Sequence, residues 1–438
     1  MKKIFASLGT LAVGAAAVHG MGAVDTAKTW SVGASLRGFY DDNYVTAPKG
    51  QERDSLGASI SPWVGLSLPL DQTTLALKYT FGAYWYEDRR GDDWDFTHQF
   101  DAMLNHAFSE RHAFYFLDSF VLAQEPQLLD PTGLTTNPYR VEGDNLRNHL
   151  KLQLNSQLTE KWSSVLGYAN TWYDYEQDSK ASETVGGFLL NGPSRSGVND
   201  RFEHTFLVNL RWQMLQETVG VIGYNYAITE YTSDEITALL IPGVPPAPIT
   251  PVYADWRDSR SHFLYVGVDH NFSQQMMVSV RLGAQDIDFH NDPTSNTDVS
   301  PYGDLSLNYI YKAGSSLRVG ITHTRSHTDV IAPNTDPTVT ENRITSDQQA
   351  TVLYGMVTHA FTPRLTGNVS GHYQHSTFEG GAYDSQSEDF FGASLGLSYK
   401  FNRHWYGDVG YSFDSLSSDI VFRDYDRNRF YLGVSAVY

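Results

Sequence analysis

The chain has 438 residues, of which 50 are Asp or Glu and 31 are Lys or Arg, giving a formal net charge of -19. This acidic balance argues against a nucleic-acid partner, and the lack of cysteine excludes disulfide bonds as a source of stability. The mean hydropathy of -0.36 excludes a membrane protein built from apolar helices, but a β-barrel exposes only every second strand residue to lipid. The 27 Tyr, 23 Phe and 9 Trp suit either the interfacial girdles of such a barrel or a carbohydrate-binding β-sandwich or propeller.

The first predicted element is a secretory signal. Two lysines precede an apolar stretch from Ile4 to Val18, and small residues up to Ala23 offer cleavage sites. We therefore expect residues 1–23 to be removed after Sec export, leaving a single domain over residues 24–438. An N-terminal membrane anchor is disfavoured because the apolar stretch is shorter than the roughly 20 residues of a spanning helix.

Strands follow along the rest of the chain, each recognised by alternating apolar and polar residues between turn signals. They are predicted at residues 30–40, 56–68, 74–86, 96–108, 113–123, 145–158, 163–175, 202–214, 219–231, 263–272, 277–289, 302–311, 317–327, 350–361, 365–378, 390–401, 405–414 and 429–438. This makes about 18 strands, and most are close to the roughly 9–11 residues that cross a bilayer as a tilted strand.

The connections between these strands alternate between short and long. The short ones are LPLDQTT, FSERHAF, LTEKWS, LQETV, FSQQMM, YKAGSSL, FTPRL and FNRHW. The long ones span residues 41–54, 124–144, 177–201, 232–261, 291–300, 328–347, 379–388 and 415–427. This sorting predicts short periplasmic turns and long extracellular loops. A propeller is disfavoured because each repeat of roughly 45–50 residues holds two long strands instead of four short ones.

The two faces of the strands differ in polarity. In the sixth strand, Leu150 and Leu154 share one face, whereas Arg147 and Lys151 share the other. A soluble sandwich would show the same alternation with its apolar face inward, but its strands are usually shorter and its turns are not sorted by length. Pro62, inside the second strand, is expected to mark a bulge. The sequence thus predicts an all-β fold, a transmembrane antiparallel up-and-down β-barrel of about 18 strands.

Charged side chains on the polar faces are predicted to line the lumen, because a basic side chain at the lipid midplane costs a few kcal/mol. The predicted pore-lining residues are Arg37, Lys78, Asp101, Arg147, Lys151, Glu203, Arg211, Arg281, Asp304, Arg318, Lys400 and Asp408, and Asp118 is assigned to the same face. These side chains could attract anionic sugars, or they could pair with one another and stabilise the wall. The sequence leaves both interpretations open.

The last strand ends at the carboxyl terminus, where nothing later in the chain can cover its edge unless the sheet closes on itself. Phe430, Leu432, Val434, Ala436 and Tyr438 share one face of this strand. The segment resembles the C-terminal signal of bacterial outer-membrane β-barrels, in which alternating apolar residues end in an aromatic residue. That resemblance implies recognition by the barrel-assembly machinery.

The stretch LRGFYDDNYV carries a family resemblance through Tyr40, Asp41, Asp42, Asn43 and Tyr44. It resembles an acidic, aromatic motif at the start of the putative β-barrel porin type 2 family of bacterial outer-membrane proteins. The resemblance implies an outer-membrane barrel in a Gram-negative-type bacterium, surrounded by lipid and lipopolysaccharide. Relatives in that family accompany exopolysaccharide export, which implies a channel for polysaccharide and a periplasmic export protein as partner. A general diffusion porin is the alternative.

No residue set predicts an enzyme or a bound cofactor. HExxH and nucleotide-binding loops do not occur in the sequence. A barrel-scaffolded surface enzyme or an adhesin would be the competing class, and the histidines at positions 323, 327, 359, 372 and 375 are its candidates. The acidic groups at 286–292 and 91–95 lack the spacing of a calcium loop and are expected to be solvated.

Overall fold

The protein forms one closed antiparallel sheet of 18 strands. The computed structural model describes residues 28–89, 92–123, 144–176, 182–185, 188–191, 194–240, 250–294, 298–332 and 344–438. The predicted signal at residues 1–23 lies outside these residues, as does nearly all of the predicted loop 124–144. Within the described residues, no helix is long and apolar enough to cross a membrane.

The strands of the closed sheet are joined by short turns at the periplasmic end and by longer loops at the extracellular end. They are β1 (Trp30–Asp41), β2 (Ser55–Pro69), β3 (Thr73–Tyr86), β4 (Trp94–Ala107), β5 (His112–Ala123), β6 (Asn145–Gln157), β7 (Trp162–Tyr175), β10 (Arg201–Leu215), β11 (Thr218–Tyr231), β14 (Ser259–Ser273), β15 (Met276–Asp288), β16 (Asp298–Lys312), β17 (Ser315–His327), β18 (Asp347–Ala360), β19 (Leu365–Glu379), β20 (Ser387–Lys400), β21 (Trp405–Ser418) and β22 (Tyr425–Val437). Each strand pairs with the next one in this order.

The remaining elements lie in the extracellular loops and were not predicted. They are the hairpin of β8 (Ser182–Val185) with β9 (Phe188–Asn191), the helix α1 (Arg195–Asn199), the hairpin of β12 (Ile236–Leu240) with β13 (Thr250–Tyr253), and 3-10 turns at Ala254–Arg257 and Gly381–Tyr383. Their sequences do not alternate between apolar and polar residues over the length of a bilayer-spanning strand. A search for such strands therefore does not detect them.

The sheet closes where β1 pairs with β22, from Gly33 opposite Val437 to Asp41 opposite Arg429. Side chains reinforce this seam on the interior side. Arg37 of β1 reaches past β22 to Asp408 of β21, with 2.8 Å between Nε and Oδ2. The first and last strands are thus joined in the same way as any other neighbouring pair, and neither leaves an open edge.

The exterior of the barrel is apolar. Large outward side chains such as Leu36, Leu264 and Leu432 are more than half exposed, which in water would be costly and in lipid is favourable. Exposed aromatic residues lie near both strand ends. At the periplasmic end these include Trp30, Trp162, Trp212, Phe272, Phe361, Phe401, Trp405 and Tyr438, and at the extracellular end Tyr40, Trp94, Phe96, Tyr373, Phe391, Tyr411 and Phe430. The fold is therefore a transmembrane β-barrel.

The predicted strand bounds fail mainly at the extracellular ends. β21 continues to Ser418 and β22 begins at Tyr425, four residues beyond each predicted limit. The cause is a reversal of polarity, because Phe390, Leu416 and Tyr425 form an apolar cluster on the interior side of these ends. Above the bilayer the loops cover the interior face, so the alternation expected of a lipid-facing strand no longer applies.

Pro62 does not mark a bulge, contrary to the prediction. It lies opposite Ala34 of β1 in unbroken register. On its other side, Ile60 pairs with Ala83 and Trp63 with Thr80, so the register with β3 is the same before and after the proline. The ladder to β3 is interrupted locally because proline has no N–H to donate.

The seam generates a stability prediction at its extracellular end. The Nε atom of Arg427 donates to both carboxylate oxygens of Asp41 at 2.9 Å, and both side chains are almost completely buried. Asp41→Ala would leave a buried guanidinium without its carboxylate, and we expect a loss of roughly 3–5 kcal/mol in the free energy of unfolding. The measurement is urea unfolding of the purified barrel, followed by the gel mobility of unheated samples.

Lys49→Ala is the control for that substitution. Its ammonium lies 3.3 Å from Asp426 at the same rim, but both side chains are about half exposed. Exposed pairs contribute between about 0 and 1 kcal/mol, so this variant should unfold close to the wild type. Equal losses in both variants would contradict the role assigned to the buried pair.

Candidate functional site: the barrel lumen

The strand registers place the predicted pore-lining residues on the interior face of the sheet, with Asp118 as the exception. Residues that lie directly opposite each other on neighbouring strands share a face, so Lys78 and Asp101 form one interior pair and Arg281 and Asp304 another. The same registers place the other predicted lining residues, namely Arg37, Arg147, Lys151, Glu203, Arg211, Arg318, Lys400 and Asp408, on the interior face. Their effect on a solute stays a prediction.

Asp118 was wrongly assigned to the lumen. The interior residue on this part of β5 is Ser119, whose hydroxyl donates to Asp101 at 2.7 Å. Asp118 therefore lies on the outward face, opposite Ala102 and Leu150. The sequence misled here because both faces of β5 are largely apolar, so alternation does not distinguish them.

A charged network covers the wall between β10 and β16. Asp269 of β14 accepts a hydrogen bond from Arg211 at 3.0 Å and another from Arg281 at 2.6 Å. The three side chains are no more than 10% exposed. Arg211 and Asp269 are separated by β11, so this interaction ties together strands that are not neighbours. Mutual pairing, one of the two predicted roles of the interior charges, thus applies to these residues.

A second interaction crosses β11 nearby. The hydroxyl of Tyr265 in β14 donates to Asn209 Oδ1 in β10 at 2.7 Å. The two side chains meet over Gly223, where a Cβ atom would lie 2.1 Å from the Tyr265 ring and 2.4 Å from Asn209 Oδ1. Glycine is required at this position because any side chain would occupy the path of the hydrogen bond.

Substitution of Gly223 tests this crossing. Gly223→Ala should displace Tyr265, break its bond to Asn209 and destabilise the barrel by about 1–3 kcal/mol through overpacking. The measurement is the temperature at which unheated gel mobility is lost. Gly396→Ala is the matched control, since its nearest neighbour, the Tyr431 hydroxyl, would be 3.6 Å away. A normal transition temperature for Gly223→Ala would contradict the crowding argument.

A basic stripe runs along the interior face of β6 through Arg147, His149 and Lys151. The residues directly opposite them on β5 are Val121, Ser119 and Leu117, and those on β7 are Tyr173, Thr171 and Ala169. None of these is a carboxylate, in contrast to the surroundings of Arg211. His149 Nδ1 lies 3.0 Å from the Thr171 hydroxyl, which fixes the imidazole against the wall. The stripe therefore brings the basic side chains Arg147 and Lys151 to one side of the lumen.

At the extracellular mouth, three loops meet around Arg257. This side chain is 1% exposed, and its guanidinium lies 4.6 Å from the centre of the Tyr231 ring. One guanidinium nitrogen donates to the carbonyl of Val198 in α1 at 2.8 Å, and another donates to the carbonyl of Thr328. Arg257 thus holds three long loops together, those that follow β7, β11 and β17.

Apolar contacts support the same arrangement. Val252 and Ile344 pack together from two of these loops, with Ala238 and Trp256 against them. A second cluster joins Val330, Phe378 and Ile420. Nearby, His327 Nε2 lies 2.9 Å from the Thr229 hydroxyl, although β17 and β11 are four strands apart in the barrel. The end of β17 therefore bends over the lumen, and the mouth contains a packed core of its own.

The predicted histidine and acidic clusters do not converge on one site. His323 contacts Thr351, His359 contacts Tyr311, and His375 contacts Asp389, each as a separate pair. His327 is part of the mouth, and His372 lies on the interior face of β19. No group of three or more His, Asp or Glu side chains that could hold a metal ion occurs in the part of the chain that the structure describes.

Asp258 is a titratable group at the mouth. It follows the 3-10 turn that carries Arg257, and it accepts hydrogen bonds from the Tyr231 amide at 2.7 Å and from Asn291 at 3.1 Å. Burial, reinforced by the charge of Asp255, raises the pKa of Asp258 to about 6. At pH values between the ordinary pKa of an aspartate and about 6, Asp258 keeps its proton in the folded state and has lost it in the unfolded state. The free energy of unfolding therefore decreases as the pH rises through this window.

Asp258→Asn should remove this part of the pH dependence. The amide oxygen can still accept from Tyr231, so the variant should fold, but it cannot ionise. We expect the unfolding temperature of the wild type to be lower at pH 7 than at pH 5. The same decrease should be smaller in Asp258→Asn. The measurement is thermal unfolding in detergent at both pH values. The same pH difference in both proteins would contradict the assignment.

One protein-family model matches the carboxyl-terminal part of the chain. The family model Putative beta-barrel porin 2 matches residues 338–438, which include β18 to β22. The predicted family resemblance is confirmed for that segment, whereas the motif at Tyr40–Tyr44 lies outside it. No curated protein sequence matches the chain.

Solved outer-membrane structures match along nearly the whole chain at low identity. OccAB4 of Acinetobacter baumannii is 12% identical, with 94% of this chain and 99% of that chain covered and a TM-score of 0.42. OpdK of Pseudomonas aeruginosa, crystallised with vanillate, is 10% identical, with 93% and 99% covered and a TM-score of 0.47. OpdO of the same organism is 10% identical, with 93% and 97% covered and a TM-score of 0.43.

Proposed function

We propose that this protein is an outer-membrane channel that passes hydrophilic solutes. The observation that carries the proposal is the polar, charged interior of an 18-stranded barrel. Barrels of eight strands can be filled by side chains, whereas barrels of about 16–18 strands enclose an aqueous channel. A lumen lined by Arg37, Lys78, Arg211 and Asp408 is suited to water and solute, not to an apolar filling.

The mouth is proposed to set the size limit of the channel. Loops that merely covered the barrel would not need a buried arginine that bonds to Val198 and Thr328. The packed arrangement around Arg257 instead holds the loops at a fixed position in the opening. Solutes would therefore pass beside this loop core, and its removal would widen the path.

Polysaccharide export remains a prediction that rests on the family resemblance. The basic stripe on β6 supports anionic solutes in general, since it places Arg147 and Lys151 on the interior face. Charged polysaccharides are one such class and small organic anions are another. A general diffusion porin would use the same lumen with less discrimination.

Planar-bilayer recordings test the channel and its mouth together. The wild type should conduct, and Arg257→Met should conduct more because the loops lose their shared hydrogen-bond donor. Arg260→Met is the control, since that side chain lies on the exposed outer face near the same rim. Absence of conductance in both the wild type and Arg257→Met, with folded barrels on unheated gels, would defeat the channel proposal.

Ion selectivity tests the role of the basic stripe. The double variant Arg147→Gln, Lys151→Gln should shift the reversal potential in a salt gradient toward cation selectivity, because two positive charges leave the lumen. Lys161→Gln, in the periplasmic turn between β6 and β7, removes charge outside the lumen and serves as the control. An unchanged reversal potential in the double variant would show that the stripe does not face the conducting path.

A further inference from the structure

Asp118 is an exception to the apolar exterior of the barrel. It lies in the middle of β5, between the outward residues Phe116 and Phe120 on its own strand, and beside Ala102 and Leu150 on the neighbouring strands. Every other Asp, Glu, Lys or Arg on the outward face of the described strands lies within two residues of the extracellular strand end. A carboxyl group therefore lies at the depth of the hydrocarbon core, where polar groups are costly.

Only one of the two carboxyl oxygens of Asp118 accepts a hydrogen bond from the described residues. Asn148 of β6, also on the outward face, donates its Nδ2 to Asp118 Oδ1 at 3.0 Å. In the part of the chain that the structure describes, this is the one hydrogen bond of either side chain. One carboxyl oxygen of Asp118 remains, as do one N–H and the carbonyl oxygen of Asn148, and lipid acyl chains offer neither a donor nor an acceptor.

A nearby polar group on the same surface shows the contrast. Asn170 of β7 donates to His204 Nδ1 at 3.2 Å and to the carbonyl of Glu203 at 3.2 Å, and the Tyr168 hydroxyl lies 2.9 Å from the same His204 nitrogen. Three polar side chains thus meet one another within this group. Asp118, by contrast, has Asn148 as its single side-chain partner in the part of the chain that the structure describes.

We propose that the outward face of β5 and β6 binds a second copy of this chain around a two-fold axis parallel to the barrel axis. The remaining donor of Asn148 and the remaining acceptor of Asp118 complement each other. When the pair meets its own copy, each Asn148 donates its second N–H to the free carboxyl oxygen of the opposite barrel, so that both N–H groups of Asn148 and both oxygens of Asp118 have a partner. Such reciprocal contacts define a two-fold interface.

The apolar residues around the pair fit the same contact. Phe114, Phe116, Phe120 and Leu152 surround it on the outward face, and aromatic side chains are typical anchors of protein interfaces. An acyl chain would gain as much from these residues but would leave the polar atoms without partners. The second copy is therefore the occupant that accounts for both the apolar and the polar part of the surface.

Cross-linking in the membrane tests the contact directly. Because the chain has no cysteine, Leu150→Cys introduces a single thiol on the proposed interface, and Leu353→Cys introduces one on the outward face of β18, on the far side of the barrel. A short bis-maleimide added to outer-membrane vesicles should give a dimer with Leu150→Cys and none with Leu353→Cys. Equal yields from both variants, or no dimer from Leu150→Cys, would overturn the proposal.

Substitutions of the polar pair, made in the Leu150→Cys chain, separate an interface from a lipid contact. Asp118→Asn keeps an acceptor and should preserve the dimer, whereas Asp118→Leu should lower its yield several-fold. If the face meets lipid, Asp118→Leu should instead leave the yield unchanged and raise the unfolding temperature, and that result would overturn the proposal. If Asp118→Leu does not migrate as a folded barrel on unheated gels, Asn148→Leu, which removes the donor, repeats the test.

Discussion

The structure depends on one constraint, which is that no backbone N–H or C=O group within the bilayer can be left without a partner. A sheet meets this condition only when its first and last strands pair with each other. Here β1 and β22 do so from Gly33 to Asp41, and the side-chain bonds of Arg37 and Arg427 reinforce the seam on the interior side. Closure then fixes which residues meet lipid and which meet the lumen.

The interior shows how a wide barrel keeps its shape without an apolar core at membrane depth. Side chains from strands that are not neighbours interact across an intervening strand, as Tyr265 and Asn209 do over Gly223, and as Arg211 and Asp269 do across β11. The buried apolar clusters lie instead among the extracellular loops and strand ends. The wall is thus stiffened by polar contacts, while apolar burial organises the mouth, the part proposed to limit what passes.

The facing of side chains was predicted correctly on strands where apolar and polar residues alternate. It was predicted poorly on strands where they do not. The residues of the sixth strand show lipid and water on opposite faces, so Leu150 and Lys151 were assigned to the correct sides. Asp118 was assigned to the wrong side because β5 has apolar residues on both faces. The proposed dimer surface follows from that failure, since an outward carboxyl group is visible only once the register with β4 and β6 is known.

The sequence by itself determined the number of strands, their order and the sorting of short turns from long loops, because bilayer thickness and two-sided solvation act on each strand locally. Only the tertiary structure decided that the loops fold into the mouth around Arg257, that Gly223 lies beneath a hydrogen bond, and that Asp118 faces outward. These features depend on contacts between residues far apart in the chain. No local pattern encodes them, because the same side chains would suit many other partners.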